Sequence, residues 1–152
     1  MKKFIFRLQK VMEYKEDIEK QKMGELAEAE NRLMVEIEKL ETLKKREQAY
    51  LDEIDVMRQQ TVIHPVEIQA LYRYIEKLKS MQNAQRVQIN KAKKVVEAKR
   101  QALVLATQEK KVLEKLKEKQ VQAYEAEVAR QEQIFFDEIA STKYGRTKET
   151  SV

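Results

Sequence analysis

The sequence has no cysteine and no tryptophan, and its 152 residues include only two glycines and one proline. Without cysteine the chain can form no disulfide and do no thiol chemistry, which fits a reducing compartment. A β-sheet protein of this length needs many turns, so the scarcity of glycine and proline argues against a sheet. Two glycines, Gly24 and Gly145, cannot build a glycine-rich phosphate loop.

Residues for catalysis are also missing. The only histidine, His64, stands next to the only proline, and a lone histidine provides neither a catalytic base with an orienting partner nor a His-rich metal site. The carboxylates are numerous, but they alternate with Lys and Arg at helical spacing, as in Glu36 and Lys39, which is typical of solvated ion pairs. We therefore predict that the protein is not an enzyme and holds no metal or cofactor.

Long hydrophobic runs are absent too. Near the start of the sequence, the apolar run Phe4-Ile5-Phe6 ends at Arg7. A secretion signal needs roughly 7–15 apolar residues, and a membrane span needs about 18 or more. We expect this stretch to be neither, and to form the first turns of a long helix.

What remains is a sequence rich in charge, with 38% charged and 42% hydrophobic residues. Such a mixture of Ala, Glu, Lys, Leu, Arg and Gln is typical of long helices and coiled coils. From Leu26 onward, seam positions recur in steps of three, four or their sum of seven, the spacing of a heptad repeat. They are Leu33, Leu40, Leu43, Glu47, Tyr50, Ile54 and Met57. This pattern predicts a first helix over about residues 4–60.

Residues 61–65 predict a break, because two β-branched residues and His64 precede Pro65, which suits the first position of a new helix. A second seam starts at Ile89, with a four-residue stutter around Lys117. It continues through Ala92, Val96, Lys99, Leu103, Ala106, Lys110, Leu113, Lys117, Val121, Tyr124, Val128, Gln131 and Phe135. We predict a long helix over about residues 83–140, ended near Gly145 as a C-cap, and a disordered tail over residues 141–152.

Two long helices joined by a short break predict an all-α fold, an antiparallel coiled-coil hairpin that forms a single domain over residues 1–152. The stretch after Pro65 is about 20 residues too long to match the first helix. Either the second helix overhangs, or residues 66–82 form a separate tip segment. The aromatic content of that segment favours the second alternative, with a short helix or bend near residues 80–85.

Positive charge is concentrated in one part of the chain. Residues 83–120 hold 11 Lys and Arg against four Asp and Glu, a net charge of +7. This basic block fits a solvated helix face, a contact with an acidic protein surface, or a grip on nucleic acid phosphates. Because the basic residues are mostly lysines without interleaved aromatic residues, we predict no nucleic acid partner. We do not expect a membrane-binding helix either.

Both ends of the sequence carry motifs of a known family. The opening reads KFIFRLQKVM at residues 3–12 and ELAEAE at residues 25–30, and the closing part reads EVARQEQIFFDEIA at residues 127–140. In the middle, Tyr74, Ile75 and Leu78 are similar in kind and position. These motifs resemble the FliJ family, coiled-coil components of the bacterial flagellar type III export apparatus, and the resemblance covers nearly the whole chain.

The resemblance implies a cytoplasmic protein that is peripheral to the inner membrane and supports motility through flagellar biogenesis. Its implied partners are the hexameric export ATPase, the cytoplasmic domain of the export-gate membrane protein, and the export chaperones. The implied function is to couple the ATPase and chaperone traffic to the gate. The alternative is a structural coiled-coil scaffold, or the stalk of a non-flagellar secretion system.

The resemblance also suggests roles for particular residues. The residues expected to face the ATPase ring are Phe4, Phe6, Arg130, Gln133, Asp137 and Glu138. Alternatively, this end of the hairpin is closed by a hydrophobic clasp of Phe4, Phe6 and Leu8 against Phe135, Phe136 and Ile139. The residues expected to contact the export gate are Tyr72, Tyr74 and Leu78. Alternatively, these three are core residues of the tip segment.

Overall fold

A computed structural model describes residues 2–62 and 64–150. It contains two helices, α1 (Gln9–Gln59, 51 residues) and α2 (Pro65–Glu149, 85 residues), and no strand among those residues. The predicted all-α helical hairpin is confirmed. The chain divides into two compact units: a loop unit of residues 20–105, and a terminal unit made of the described residues up to Glu19 and from Ala106 onward.

In the loop unit, α1 and α2 run antiparallel and share a narrow apolar seam. Its most buried side chain is Ile54, only 2% exposed, and Leu40, Leu43, Ile75 and Leu78 are also buried. All the α1 seam positions predicted from Leu26 onward are buried or half-buried. The heptad spacing therefore identified this face of α1 correctly, because steps of three and four place side chains on one side of a helix.

The predicted break between the helices is confirmed for its described residues; Ile63 lies outside them. Helix α1 ends at Gln59, and residues 60–62 form a bend. Pro65 is the first residue of α2, and the amide of Ile68 donates to the His64 carbonyl at 3.1 Å. Proline fits this position because its missing N–H would have had no partner in the first turn.

The predicted bend near residues 80–85 is wrong, because α2 continues through this stretch without interruption. Residues 66–82 are not a separate tip helix but supply the seam that faces α1. Gln82 is 4% exposed, and its Nε2 donates to Oε2 of Glu47 at 2.6 Å. Gln85 donates to the backbone carbonyl of Glu36 at 2.8 Å and also to its carboxylate. These bonds join the two helices along a stretch of α2 that contains no glycine or proline.

In the terminal unit, α1 begins at Gln9 and not near Phe4 as predicted. Residues 2–6 have no regular structure, and residues 7 and 8 form a turn. The Phe6 carbonyl accepts a bond from the Gln9 amide at 3.1 Å. Lys2, Lys3 and Arg7 oppose the positive end of a helix dipole, which disfavours helix at this position.

Helix α2 also ends later than predicted, at Glu149 instead of near residue 140. Residues 141–149, predicted to be disordered, are helical, and residues 151 and 152 lie outside the described part. Gly145 is not a left-handed C-cap, since no described residue has a positive φ. Of the two explanations for the extra length of α2, the overhang is the one observed. Its exposed residues follow Val128, while residues 66–82 belong to the paired part.

Candidate partner-binding surfaces

The first candidate surface is the C-terminal stretch of α2, defined here as residues 129–149. All of its side chains are exposed, whereas Val121, Tyr124 and Val128 just before it are half-buried. Phe135 and Phe136 are 59% and 62% exposed and contact each other edge-on at 6.1 Å between ring centroids. An exposed group of large apolar side chains is typical of a partner-binding site.

Polar side chains of the C-terminal stretch are organised by local bonds. Arg130 forms a two-pronged ion pair with Glu127, with Nε–Oε2 at 3.1 Å and Nη2–Oε1 at 3.0 Å. The Arg130 guanidinium and, to a smaller extent, the Gln131 amide hold the pKa of Glu127 below its usual value. Gln133 donates to Oδ1 of Asp137 at 3.0 Å. These residues therefore present an exposed, charged surface.

The hydrophobic clasp considered as an alternative for this end is wrong. Phe6 is buried, with Lys117 Nζ 5.9 Å from its ring centroid, and Phe4 packs against Tyr124 with ring centroids 5.6 Å apart. The Tyr124 hydroxyl also donates to the carbonyl of Lys2 at 2.7 Å. Residues 2–6, the opening segment, thus pack against the part of α2 that precedes the C-terminal stretch. Phe135, Phe136 and Ile139 stay exposed. Because residues 2–6 are not helical, they contact a different part of α2 than the predicted helical turn would.

The second candidate surface lies in the loop unit. Tyr72 and Tyr74 are exposed, but Leu78 is buried in the seam. The Tyr74 ring stacks on Tyr50 at 6.0 Å, with 18° between the ring planes. Arg58 Nη2 donates to the Tyr72 hydroxyl at 2.5 Å. The structure thus brings Tyr72 and Tyr74 to the surface, while Leu78 lies in the core.

The basic block of residues 83–120 is divided between two roles. Its seam lysines reach polar partners on α1: Lys99 binds Glu25 at 3.3 Å in the loop unit, and Lys110 binds Glu19 at 2.9 Å in the terminal unit. In contrast, Lys91, Lys93 and Lys94 are exposed and form no ion pair with any residue of 2–62 and 64–150. Three of the eleven basic residues of the block, Lys99, Arg100 and Lys110, thus form ion pairs with α1.

Two kinds of site are absent from the described part of the chain. No group of three or more His, Cys, Asp or Glu side chains there is arranged to hold a metal ion. Neither helix has a stretch apolar enough to cross a membrane, as far as residues 2–62 and 64–150 show.

A comparison with models of known protein families matches residues 3–149 to the flagellar FliJ protein. The chain belongs to the FliJ family. It is therefore a component of the flagellar export apparatus, and the FliJ family is structural and not a known group of enzymes. No curated protein and no solved structure matches the chain.

Some contacts of this FliJ-family chain were missed at the level of sequence. Periodicity places Tyr124 at the seam but does not predict its bond to Lys2. That bond depends on the opening segment, residues 2–6, being non-helical. Arg58 and Tyr72 lie on opposite sides of the break, and their bond has no sequence signal. The partners of the seam lysines could have been found, since each lysine lies at a position that must face α1.

Proposed function

We propose that this chain couples the hexameric export ATPase, and the traffic of export chaperones, to the membrane export gate. It acts from the cytoplasmic side, as a peripheral part of the export apparatus. The observation that carries the proposal is the C-terminal stretch of α2, a helix with exposed aromatic and charged residues in a family of export components. In this account the chain does no chemistry, and ATP hydrolysis belongs to the partner.

The ATPase ring contacts the polar side of the C-terminal stretch: Arg130, Gln133, Asp137 and Glu138. Phe4 and Phe6 contribute indirectly, because they pin the opening segment against Tyr124 and Lys117. Family membership supports a flagellar role over the alternative of a stalk in a non-flagellar secretion system.

The charge reversal Asp137→Lys with Glu138→Lys tests this contact. It should abolish stimulation of the ATPase and leave the helical circular dichroism signal intact, since both side chains are exposed. The matched control is Asp52→Lys with Glu53→Lys, because Gln48 donates to Asp52 at 2.9 Å just as Gln133 donates to Asp137. Stimulation unchanged by the first pair would contradict the proposed contact.

The export gate contacts the exposed rings of Tyr72 and Tyr74 in the loop unit. Their support is the stacking on Tyr50 and the bond from Arg58, which hold both rings in place at the surface. Alanine at Tyr72 and Tyr74 should weaken binding to the cytoplasmic domain of the gate protein, measured by calorimetry. Affinity equal to that of the unaltered chain would remove this site.

A further inference from the structure

The side of α2 that packs on α1 continues beyond Val128, the last half-buried residue of this helix. From Val128 a step of seven reaches Phe135, the last seam position predicted above, and further steps of four and three reach Ile139, Thr142 and Arg146. The last four of these line one groove along the helix. The opening segment contacts Tyr124 through Lys2 and Phe4, and all residues from 129 to 149 are exposed. The chain therefore leaves about three turns of its own seam uncovered.

An uncovered helix of this kind needs packing to be stable. Most of the stability of a helix in a protein comes from burying an apolar face, and isolated short helices are marginal in water. Phe135 and Ile139 supply that face in the C-terminal stretch, and both are exposed. An occupant is therefore expected on this face.

The distribution of charge indicates which occupant fits. Residues 129–138 hold three acidic side chains and one basic one, whereas residues 139–149 hold three basic side chains and one acidic one. A second C-terminal stretch laid antiparallel brings each acidic half against a basic half. A parallel arrangement would instead bring like charges together, which disfavours pairing.

We infer that the C-terminal stretch of α2 pairs antiparallel with the same stretch of a second copy of this chain. The register is centred midway between Ile139 and Thr142. Ile139 of each copy then faces Thr142 of the other copy. Phe135 of one copy then lies against Arg146 of the other, a pairing that suits an aromatic ring and a guanidinium. Glu138 lies near Lys143 of the second copy.

The pairing has a consequence for the ATPase contact, and this consequence alone rests on the proposed function. Asp137 and Glu138 would be covered in the pair and free to contact the ATPase ring only in the separated chain. Self-association would then hold the protein in a form that cannot engage the ATPase. The pairing itself can be tested without any partner.

Sedimentation equilibrium of the full chain, from about 1 to about 100 µM, tests the pairing, because a contact of this limited size should have a micromolar Kd. The unaltered chain should form a concentration-dependent dimer that weakens in high salt. Asp137→Lys with Glu138→Lys should be monomeric alone, and so should Lys143→Glu with Arg146→Glu. Mixed in equal amounts, the two variants should form a heterodimer.

The controls are Asp52→Lys with Glu53→Lys and Lys91→Glu with Lys94→Glu, which make the same charge changes at exposed positions of the loop unit. Both should dimerise like the unaltered chain. A chain that stays monomeric over the whole range, or a mixture that does not restore pairing, would overturn the inference. Lys143→Glu with Arg146→Glu should also keep ATPase stimulation, so failure of the pairing is distinguishable from failure of the ATPase contact.

Discussion

Lys110 Nζ lies 2.9 Å from Oε1 of Glu19 and joins α2 to α1 in the terminal unit. Glu19 is only 7% exposed, and its other oxygen, Oε2, is buried without a hydrogen bond from any described residue. The carboxylate is therefore held at the seam mainly by one lysine. A charge in this position fixes which residues of the two helices face each other, because any slip would leave it without a partner.

Removing Lys110 should destabilise the protein more than removing an exposed lysine. Lys110→Ala leaves the Glu19 carboxylate without its main partner at the seam, and we expect the Tm to fall by several degrees. The matched change Lys115→Ala, at an exposed position of the same helix, should leave the Tm almost unchanged. Thermal unfolding followed by circular dichroism measures both. Equal effects of the two changes would show that the Lys110–Glu19 pair does not fix the seam.

The stability of the protein should depend on pH through the same pair. Hydrogen bonding to Lys110 holds the pKa of Glu19 below its usual 4.5. Lys99 does the same for the pKa of Glu25. A carboxyl whose pKa is lower in the folded state binds protons more weakly there. The stability it contributes is thus present above about pH 4.5 and is lost as the pH falls through the folded pKa.

The contribution of Lys110 to stability depends on pH in the opposite direction. Its bond to Glu19 raises its pKa above 10.5, so its contribution is complete below that pH and is lost as the pH rises through the folded value. We therefore expect a nearly constant Tm in the neutral range and a fall in acid. Glu19→Gln should show a smaller acid-induced fall. A variant with the same acid dependence as the unaltered chain would remove Glu19 as a source of it.

The seam of the loop unit should be sensitive to cavities at its most buried position. Ile54→Ala should lower the free energy of unfolding by about 2–5 kcal/mol, because the missing side chain leaves a cavity. Val56→Ala, two residues away and 58% exposed, should change it by about 0.5 kcal/mol or less. Urea denaturation measures both changes. Similar values for the two positions would contradict the observed orientation of α1.

Leu78 and Tyr74 should behave differently although they are one turn apart. Leu78→Ala should cost about 2–5 kcal/mol of unfolding free energy as a core change. Tyr74→Ala should cost about 0.5–1.5 kcal/mol, the worth of its stacking on Tyr50. Urea denaturation of the two variants gives the comparison. A larger loss for Tyr74 than for Leu78 would mean that the tyrosine, and not the leucine, belongs to the core.

The hairpin could be predicted from the sequence because its signals are local. The seam of α1 repeats in steps of three and four, and Pro65 marks the start of α2. The bend near residues 80–85 was inferred from a difference in length, and length alone does not say which end of α2 is unpaired. The bond from the buried Gln82 to Glu47 shows that this end of α2 is paired with α1. The two residues are far apart in sequence, so no local pattern predicts their contact.

The candidate surfaces were predicted less completely, for a related reason. Asp137 and Glu138 could be recognised as exposed from their motif, but Leu78 was grouped with Tyr74 because both lie within one turn. Side chains four residues apart lie on the same side of a helix but about 40° apart around its axis, so the edge of a narrow seam can fall between them. Where that edge falls depends on the opposite helix, which no local pattern shows.

The most direct test of the coupling function is the ATPase rate of the matching flagellar export ATPase, measured with and without this protein. We expect stimulation at less than one chain per ATPase subunit, since a single hairpin serves a whole ring in this account. Asp137→Lys with Glu138→Lys should abolish the stimulation, while Asp52→Lys with Glu53→Lys should preserve it. A fully helical protein that changes neither the rate nor the formation of hexamers would contradict the coupling function.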